Sequence, residues 1–403
     1  MKKKKILFLG AAAFQLPPIQ YALNQGYRVI TADNNPDNPC HQFAETAYSV
    51  STTDRESILQ IAQKEEIDGI MTFASDVSMP TVAYVAEKLN LPAPNYETTL
   101  VLTNKALFRQ FLQNEGLQTQ FFQNFEAYEK QVALAYIRLA KLPIIIKPVD
   151  RSGSRGVGIV QILEEAEKRV EEAFEVSIKK EIIVEQYIEK QGRQICGDGY
   201  MEDGKLAFVA FGDGHFYTDE RFMAPYAETF PSEHSPSLLK MTAQKLEQIL
   251  QRVGYDQGPF NLDVLITKAG EIFVNEIGPR CGGNYIPILI QLRYGVDLVA
   301  AAVEGCLTAN YKLSIPKFFS PKYHYASYMI HSLQSGDLKG IQLDNSLKDK
   351  IHAHHPYIGK TDKISAFHQA GAAIGNLIFR FDSEREMHQM MDTINDLVKV
   401  MVE

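Results

Sequence analysis

Residues 1–92 alternate short apolar runs with amphipathic stretches. Ile6-Leu7-Phe8-Leu9 closes at Gly10, Val29-Ile30-Thr31-Ala32 closes at Asp33, and Ile67 to Phe73 runs into Ala74-Ser75-Asp76. Between these runs the spacing predicts helices from about Pro17 to Gln25, from the N-cap Asp54 through Ile58, Ile61 and Ala62, and over Val77 to Leu89. Strands alternating with helices make parallel βαβ units. Ligands of such sheets sit beyond the carboxyl ends of the strands. Gly10-Ala11-Ala12-Ala13, Asp33 and Phe73-Ala74-Ser75-Asp76 are therefore expected along one rim.

Leu91-Pro92-Ala93-Pro94 reads as a linker, followed by a helix from about Thr98 through Lys105 to Asn114. The pattern then changes to strands and hairpins. Ile144-Ile145-Ile146 and Ile182-Ile183-Val184 are strands, with a helix over Glu164 to Val176 between them. Glu202-Asp203-Gly204-Lys205 and Lys268-Ala269-Gly270-Glu271 are hairpin turns. Beyond Phe318, strands are expected at Tyr323 to Ile330 and Asn376 to Phe381, with a closing helix over Glu384 to Val400. The expected architecture is α/β then α+β. A Rossmann-like parallel-sheet domain spans 1–92, an α+β region 93–317 and a small α+β domain 318–403.

Composition narrows the function classes. The chain has 403 residues, 45% apolar and 22% charged, which is globular and long enough for two or three domains. A net charge of −8 argues against general nucleic-acid binding. The one basic run, Lys2 to Lys5, leads into the first strand, and the apolar stretch after it meets Pro17-Pro18 without a cleavage site. No membrane span is expected. Cys40, Cys196, Cys281 and Cys306 are scattered and form no Cys-x-x-Cys pair, which suits a reducing cytoplasm.

Three stretches carry chemistry. Lys147 closes an apolar strand and is followed by Ser152-Gly153-Ser154-Arg155-Gly156-Val157-Gly158. Small residues let backbone N–H groups approach a polyphosphate, and a lysine adds a point charge. The loop is neither a Walker A sequence nor a dinucleotide fingerprint, and a flexible hairpin is the bland alternative. Ile182 to Ile188 is a strand ending at Glu185-Gln186-Tyr187, which could offer backbone groups to an adenine edge or be an ordinary solvated strand end. Asp263 and Glu276 lie on strands joined by a tight turn. Converging carboxylates repel unless a cation lies between them. Mg²⁺ held by carboxylates and substrate phosphates would supply it, and Asp263 among Phe260, Leu262 and Leu265 would be costly unpaired.

Lys105, Lys147 with the Ser152–Gly158 loop, Glu185 to Ile188, Asp263, and Asn275-Glu276-Ile277-Gly278-Pro279-Arg280 occur in the order and approximate spacing of the ATP-grasp superfamily. The chain resembles its branch of biotin carboxylase, purine-pathway ligases, carbamoyl-phosphate synthase and L-amino-acid ligases, over almost its whole length. The resemblance implies a two-lobed ATP-grasp domain over 93–317, and ATP with Mg²⁺, or Mn²⁺ in its place. It implies that Lys105 and Lys147 bind phosphates and that Ser152, Gly153, Ser154, Arg155, Gly156 and Val157 form a flap over them. It makes Glu185, Gln186, Tyr187 and Ile188 the adenine hinge, and Asp263 and Glu276 the metal ligands. Arg280 would steady the transferred phosphoryl group, with Lys147 as its catalytic companion.

Two departures stand out. The ribose glutamate of many relatives is missing from Gly192-Arg193-Gln194, leaving Glu189 or Gln194 for that contact. Gly278 stands where relatives often have asparagine. Gly283 and Asn284, just after Arg280, are candidate substrate contacts, as is His215 in the turn-rich stretch Gly212 to Tyr217, for which a plain hairpin is the alternative. His352, His354 and His355 read as a polar surface loop.

The resulting expectation is an ATP-dependent carboxylate–amine ligase working through an acyl phosphate on small molecules, with a homodimer allowed for. A purine-pathway ligase acting on a phosphoribosyl amine ranks second, because Gly10 to Phe14 carries no Lys, Arg or Ser. A catalytically silent nucleotide-binding regulator and a nicotinamide-dependent dehydrogenase rank below it.

Overall fold

The computed structural model describes residues 3–219, 223–357 and 362–403. Lys2 of the basic run lies outside them. The amino-terminal strands β1 (Lys5–Leu9), β2 (Arg28–Asp33), β3 (Thr46–Ser49) and β4 (Gly69–Thr72) form a parallel sheet ordered β3-β2-β1-β4. β1 and β4 are buried throughout, as expected of strands covered on both faces. Helices α1 (Leu16–Asn24), α2 (Arg55–Glu65) and α3 (Met79–Leu89) connect them. Asp54 caps α2, its carboxylate accepting from the Ser57 N–H and hydroxyl.

The helix expected from Thr98 to Asn114 is two helices, α4 (Tyr96–Thr103) and α5 (Lys105–Asn114). Asn104 takes extended backbone between them, and its side chain accepts from the Leu107 N–H. That break sets Lys105 at the first turn of a new helix.

The first lobe is an antiparallel sheet of β5 (Phe122–Glu126), β6 (Ile144–Pro148), β7 (Gly158–Val160) and β8 (Glu181–Gln186), ordered β5-β8-β6-β7. Helices α6 (Lys130–Leu139) and α7 (Ala166–Val176) pack on it through Ala133, Ile137, Val170 and Ala173. The second lobe is built on β9 (Gln194–Glu202), β10 (Lys205–His215), β11 (Ala227–Phe230), β12 (Gly258–Ile266) and β13 (Ile272–Gly278), backed by α8 (Pro236–Val253). After α9 (Ile286–Tyr294) and α10 (Leu298–Gly305) come β14 (His324–Ile330), β15 (Gly336–Leu343), β16 (Ile351–Pro356), β17 (Lys363–Ile364), β18 (Gly375–Phe381), α11 (Glu384–Met391), α12 (Ile394–Leu397) and β19 (Val398–Val402). The large sheet runs β13-β12-β9-β10-β11-β14-β18-β16, so strands on both sides of residue 318 share one ladder.

Three local expectations need correction. The closing helix over Glu384 to Val400 ends at Met391, and Val398–Val402 is a strand paired with β15. Val398, Val400 and Val402 alternate inward, a period of two that the preceding helical stretch disguises. His352, His354 and His355 lie on strand β16, with the His355 ring stacked on Tyr285 at 4.2 Å. Gly212 to His215 is the carboxyl end of strand β10, not a hairpin turn. No single helix among the described residues is long and apolar enough to cross a membrane.

Candidate active site

Asp263 on β12 stands directly opposite Glu276 on β13. Asp263 is partly buried, and desolvation followed by the Glu276 charge pushes its carboxyl up to about 7. Gln194 on β9 donates its amide N–H to Asp263 Oδ1 at 2.9 Å. Lys105 reaches across from α5, its Nζ 3.5 Å from Glu276 Oε2 and donating to the Arg151 carbonyl at 2.8 Å. Two facing carboxylates with one lysine at their edge form a cation-accepting donor set, and oxygen ligands are what Mg²⁺ requires.

Lys147 sits on β6 beside Glu185 on β8, with Nζ 2.6 Å from Glu185 Oε1 and 3.2 Å from Asn275 Oδ1. The other Glu185 oxygen accepts from Arg109 Nε at 2.8 Å, and Arg109 also donates to the Asn275 carbonyl. Burial alone would raise the Glu185 carboxyl. Arg109 and Lys147 overturn that and hold it at about 2. The Glu185 side chain thus faces the two cations, while Gln186 is exposed and Tyr187 and Ile188 are half-buried. Arg109 has no counterpart in the sequence reading. Its signal was an arginine on the buried stripe of α5, between Ala106, Phe108 and Leu112.

Replacing Glu185 with Gln leaves two buried cations sharing a neutral partner. We expect Glu185→Gln to lose about 3 kcal/mol of stability at neutral pH. A carboxyl held low in the folded state stabilises it above the ordinary carboxylate range, and that stabilisation is lost as pH falls toward 2. Thermal melts should therefore show the gap between variant and wild type closing on acidification. A constant gap would remove the charge argument.

The loop between β6 and β7 turns through left-handed backbone at Gly153, Ser154 and Gly156. Its contacts reach distant segments: Ser154 Oγ donates to the Met223 carbonyl, Ala370 N–H to the Gly153 carbonyl, and Arg155 Nε to Gln369 Oε1. Few apolar atoms hold it, since Gly153 and Arg155 are exposed. Amide exchange over residues 152–158 should slow on adding ATP-Mg²⁺, and equal protection in both states would rule out a closing flap.

Arg280 is buried and pairs through Nη2 with Asp76 Oδ2, from the rim of the amino-terminal sheet. Nη1 donates to the Cys281 carbonyl at 3.1 Å, while Nε has no partner among the described residues. Gly278 is explained by this pair, because a Cβ there would come within 2.4 Å of Asp76 Oδ1 and 3.0 Å of the Arg280 guanidinium carbon. Behind it, Asp198 accepts from the Gly282 N–H at 2.7 Å and from Asn261 Nδ2 at 2.9 Å, anchoring the turn that carries Gly283 and Asn284.

The remaining candidates divide. Gln194 faces Asp263, whereas exposed Glu189 pairs with Lys268 at the β12–β13 turn. His215 is fully buried, bonded to Arg193 and Thr229, and burial with the Arg193 charge lowers it to about 3. Its neighbour Gly214 lies opposite Gln194, so alternation turns His215 to the other face of the sheet. The structure does not bring it to the site.

Residues 140–288, from the first lobe to the turn after Arg280, match the ATP-grasp domain family. That match bears out the resemblance to the ATP-grasp superfamily that the motifs carry. It is similar to a formate-dependent phosphoribosylglycinamide formyltransferase of Wolinella succinogenes, 23% identical over 339 residues, covering 80% of this chain and 85% of that protein. It is also similar to the uncharacterized protein y4rH of Sinorhizobium fredii, 26% identical over 281 residues. That match covers 66% of this chain and 55% of the relative's length. Among solved structures, an L-amino acid ligase from Bacillus licheniformis superposes with a TM-score of 0.81 over 100% of both chains at 20% identity. The expected fold class matches these neighbours, and ATP with Mg²⁺ as cofactors of an ATP-dependent ligase accord with the ATP-grasp domain match.

Proposed function

We propose that this ATP-grasp chain activates a small carboxylate as an acyl phosphate and joins it to an amine, releasing ADP and phosphate. The observation that carries the reading is the direct pairing of Asp263 with Glu276 beside Lys105. Mg²⁺, bound there, supplies charge neutralisation for the ATP phosphates. Lys105 and Lys147 orient those phosphates, with Arg109 and Glu185 fixing Lys147. Gln186, Tyr187 and Ile188 line the adenine edge, Gln194 or Glu189 serves the ribose, and the Ser152–Val157 loop covers the phosphates. Arg280 steadies the phosphoryl group as a carboxylate oxygen attacks the γ-phosphorus and ADP leaves. The amine nitrogen then attacks the acyl carbon, the C–O bond to phosphate breaks, and the amine gives up its protons. Gly283 and Asn284 contact the substrates. Such chemistry depends on positioning and charge compensation rather than a protein nucleophile.

We place the enzyme in a reducing cytoplasm, consistent with four buried, unpaired cysteines, and allow for a homodimer. The segments 1–92, 93–317 and 318–403 remain the proposed domains.

A second reading takes formate or a similar carboxylate and a phosphoribosyl amine, favoured by the name of the Wolinella succinogenes relative. Against it, the Gly10–Phe14 rim carries no cation, and the Ala11 N–H is already bound by Asp33. ADP release in a screen of amino acids, amino sugars and phosphoribosyl compounds separates the two. Release with phosphoribosylglycinamide alone would select the second reading, and release with none of the panel would count against both.

A further inference from the structure

The sheet face that carries Asp263 continues beyond it. Asp263 lies opposite Cys196 on β9, and Cys196 opposite Gly212 on β10. Two residues on, Gly214 lies opposite Glu228 on β11, and Glu228 opposite Ser327 on β14. Residues two apart on a strand share a face. Glu228 therefore shares a face with the metal-ligand pair, three strands away, or about 14 Å between backbones. Between them β10 contributes Gly212 and Gly214, so this part of the floor carries no side chain.

Glu228 is 3% exposed. Its Oε1 accepts from Asn284 Nδ2 at 3.1 Å. Its Oε2 is buried and has no hydrogen-bond partner, donor or acceptor, among the described residues. Asn284 is held from below, since its carbonyl accepts from Ser327 Oγ at 2.6 Å, and that hydroxyl accepts from Asn376 Nδ2 at 2.7 Å. Asn376 Oδ1 is likewise buried and unpartnered. Asn284 and Tyr285 both take left-handed backbone, an uncommon conformation for residues with a Cβ.

Two open acceptors on one buried network call for a donor from outside the chain. A structural, protonated Glu228 would donate from Oε2, and nothing among the described residues receives it. Burial, with Asp263 and Asp198 nearby, raises its carboxyl to about 8, so the surroundings lack positive charge. A primary ammonium brings three donors and one positive charge. A hydroxyl would leave the carboxylate uncompensated.

We propose that Glu228, oriented by Asn284, is the subsite for a protonated primary amine on one of the two substrates. This rests on the ligase reading. It sets the phosphoryl-transfer groups at one end of the strip and the ammonium at the other. The amine is either the incoming nucleophile or an amino group on the carboxylate donor.

The test is ligand-observed NMR on the full chain with MgADP, using the standard L-amino acids, their carboxamides and their N-acetyl forms. Binding should be confined to compounds with a free ammonium. Glu228→Gln should weaken it at least tenfold while leaving MgADP affinity unchanged, and Asn284→Ala should weaken it less. Bound carboxamides would assign the subsite to the incoming amine, and binding of zwitterions alone would assign it to an amino-acid donor. Absence of any ammonium binder, equal binding of N-acetyl forms, or full affinity in Glu228→Gln overturns the proposal. If Glu228→Gln does not fold, Asn284→Ala decides on the same criterion. MgADP binding in the same samples reports on the ligase reading separately, because the amine panel is also readable without nucleotide.

Discussion

Asp263→Asn and Glu276→Gln should each lower ATP-dependent turnover by a thousandfold or more, and Asp263→Asn should make the protein more stable. The two effects share one cause. Asp263 is partly buried opposite a second carboxylate, and desolvation together with that charge raises its carboxyl to about 7. An acid whose folded value is raised loses stability as pH climbs from the ordinary carboxylate range through that value. Above pH 7 the folded chain therefore carries a repulsive pair that asparagine relieves. In a chain of 403 residues, ~1 kcal/mol corresponds to an increase in Tm of roughly 1 °C. The loss of turnover follows because Mg²⁺ contributes several kcal/mol of charge stabilisation in phosphoryl transfer, and each ~1.4 kcal/mol is tenfold in rate. Steady-state ADP release and thermal melts at pH 8 check both halves. A variant that keeps wild-type turnover removes the pair from the metal site. A variant that loses both activity and stability makes the pair structural.

The same pair shows what was legible before the structure. A tight turn at Lys268-Ala269-Gly270-Glu271 fixes the register of the hairpin, so the sequence separation of Asp263 and Glu276 determines that they meet. The parallel sheet was equally readable, because its strands are short apolar runs separated by capped helices. Where the reading failed, tertiary structure overrode local pattern. Nothing in Thr98 to Asn114 breaks a helical period, yet Asn104 leaves helical geometry to start α5 and point Lys105 at the carboxylates. Val398 to Val402 became a strand because an edge at β15 was free to receive it.

Side-chain partners were the least legible part. Glu185 ends a strand in the manner of a solvated acid, and only the fold reveals Arg109 and Lys147 on either side of it, 76 and 38 positions away. Glu228 lies in Ala227-Glu228-Thr229-Phe230, where no apolar–polar alternation marks a buried face, yet all four residues are buried. Its burial comes from the turn after Arg280 folding over that face. Both cases are charges buried by an element distant in sequence, which local periodicity cannot register.

Arg280 joins the two kinds of role. Its pair with buried Asp76 ties the second lobe to the rim of the amino-terminal sheet, and its Nε is left open. A guanidinium held on one side and open on another can hold a phosphoryl group without first reorganising. Lysine at this position can keep the ion pair with Asp76 but cannot present a second, parallel N–H. Arg280→Lys should therefore lower kcat by roughly a hundredfold to a thousandfold, with ATP affinity little changed and only a small fall in Tm. Asp76→Asn should do the reverse in proportion. It leaves a buried cation short of its counter-charge, costing about 3 kcal/mol of stability, while turnover falls less because the fork itself remains. Comparing kcat, ATP affinity and Tm across the two variants separates positioning from catalysis. A fully active Arg280→Lys enzyme would reduce Arg280 to an interdomain strut, and the phosphoryl group would then be steadied by Lys105 and Lys147 alone.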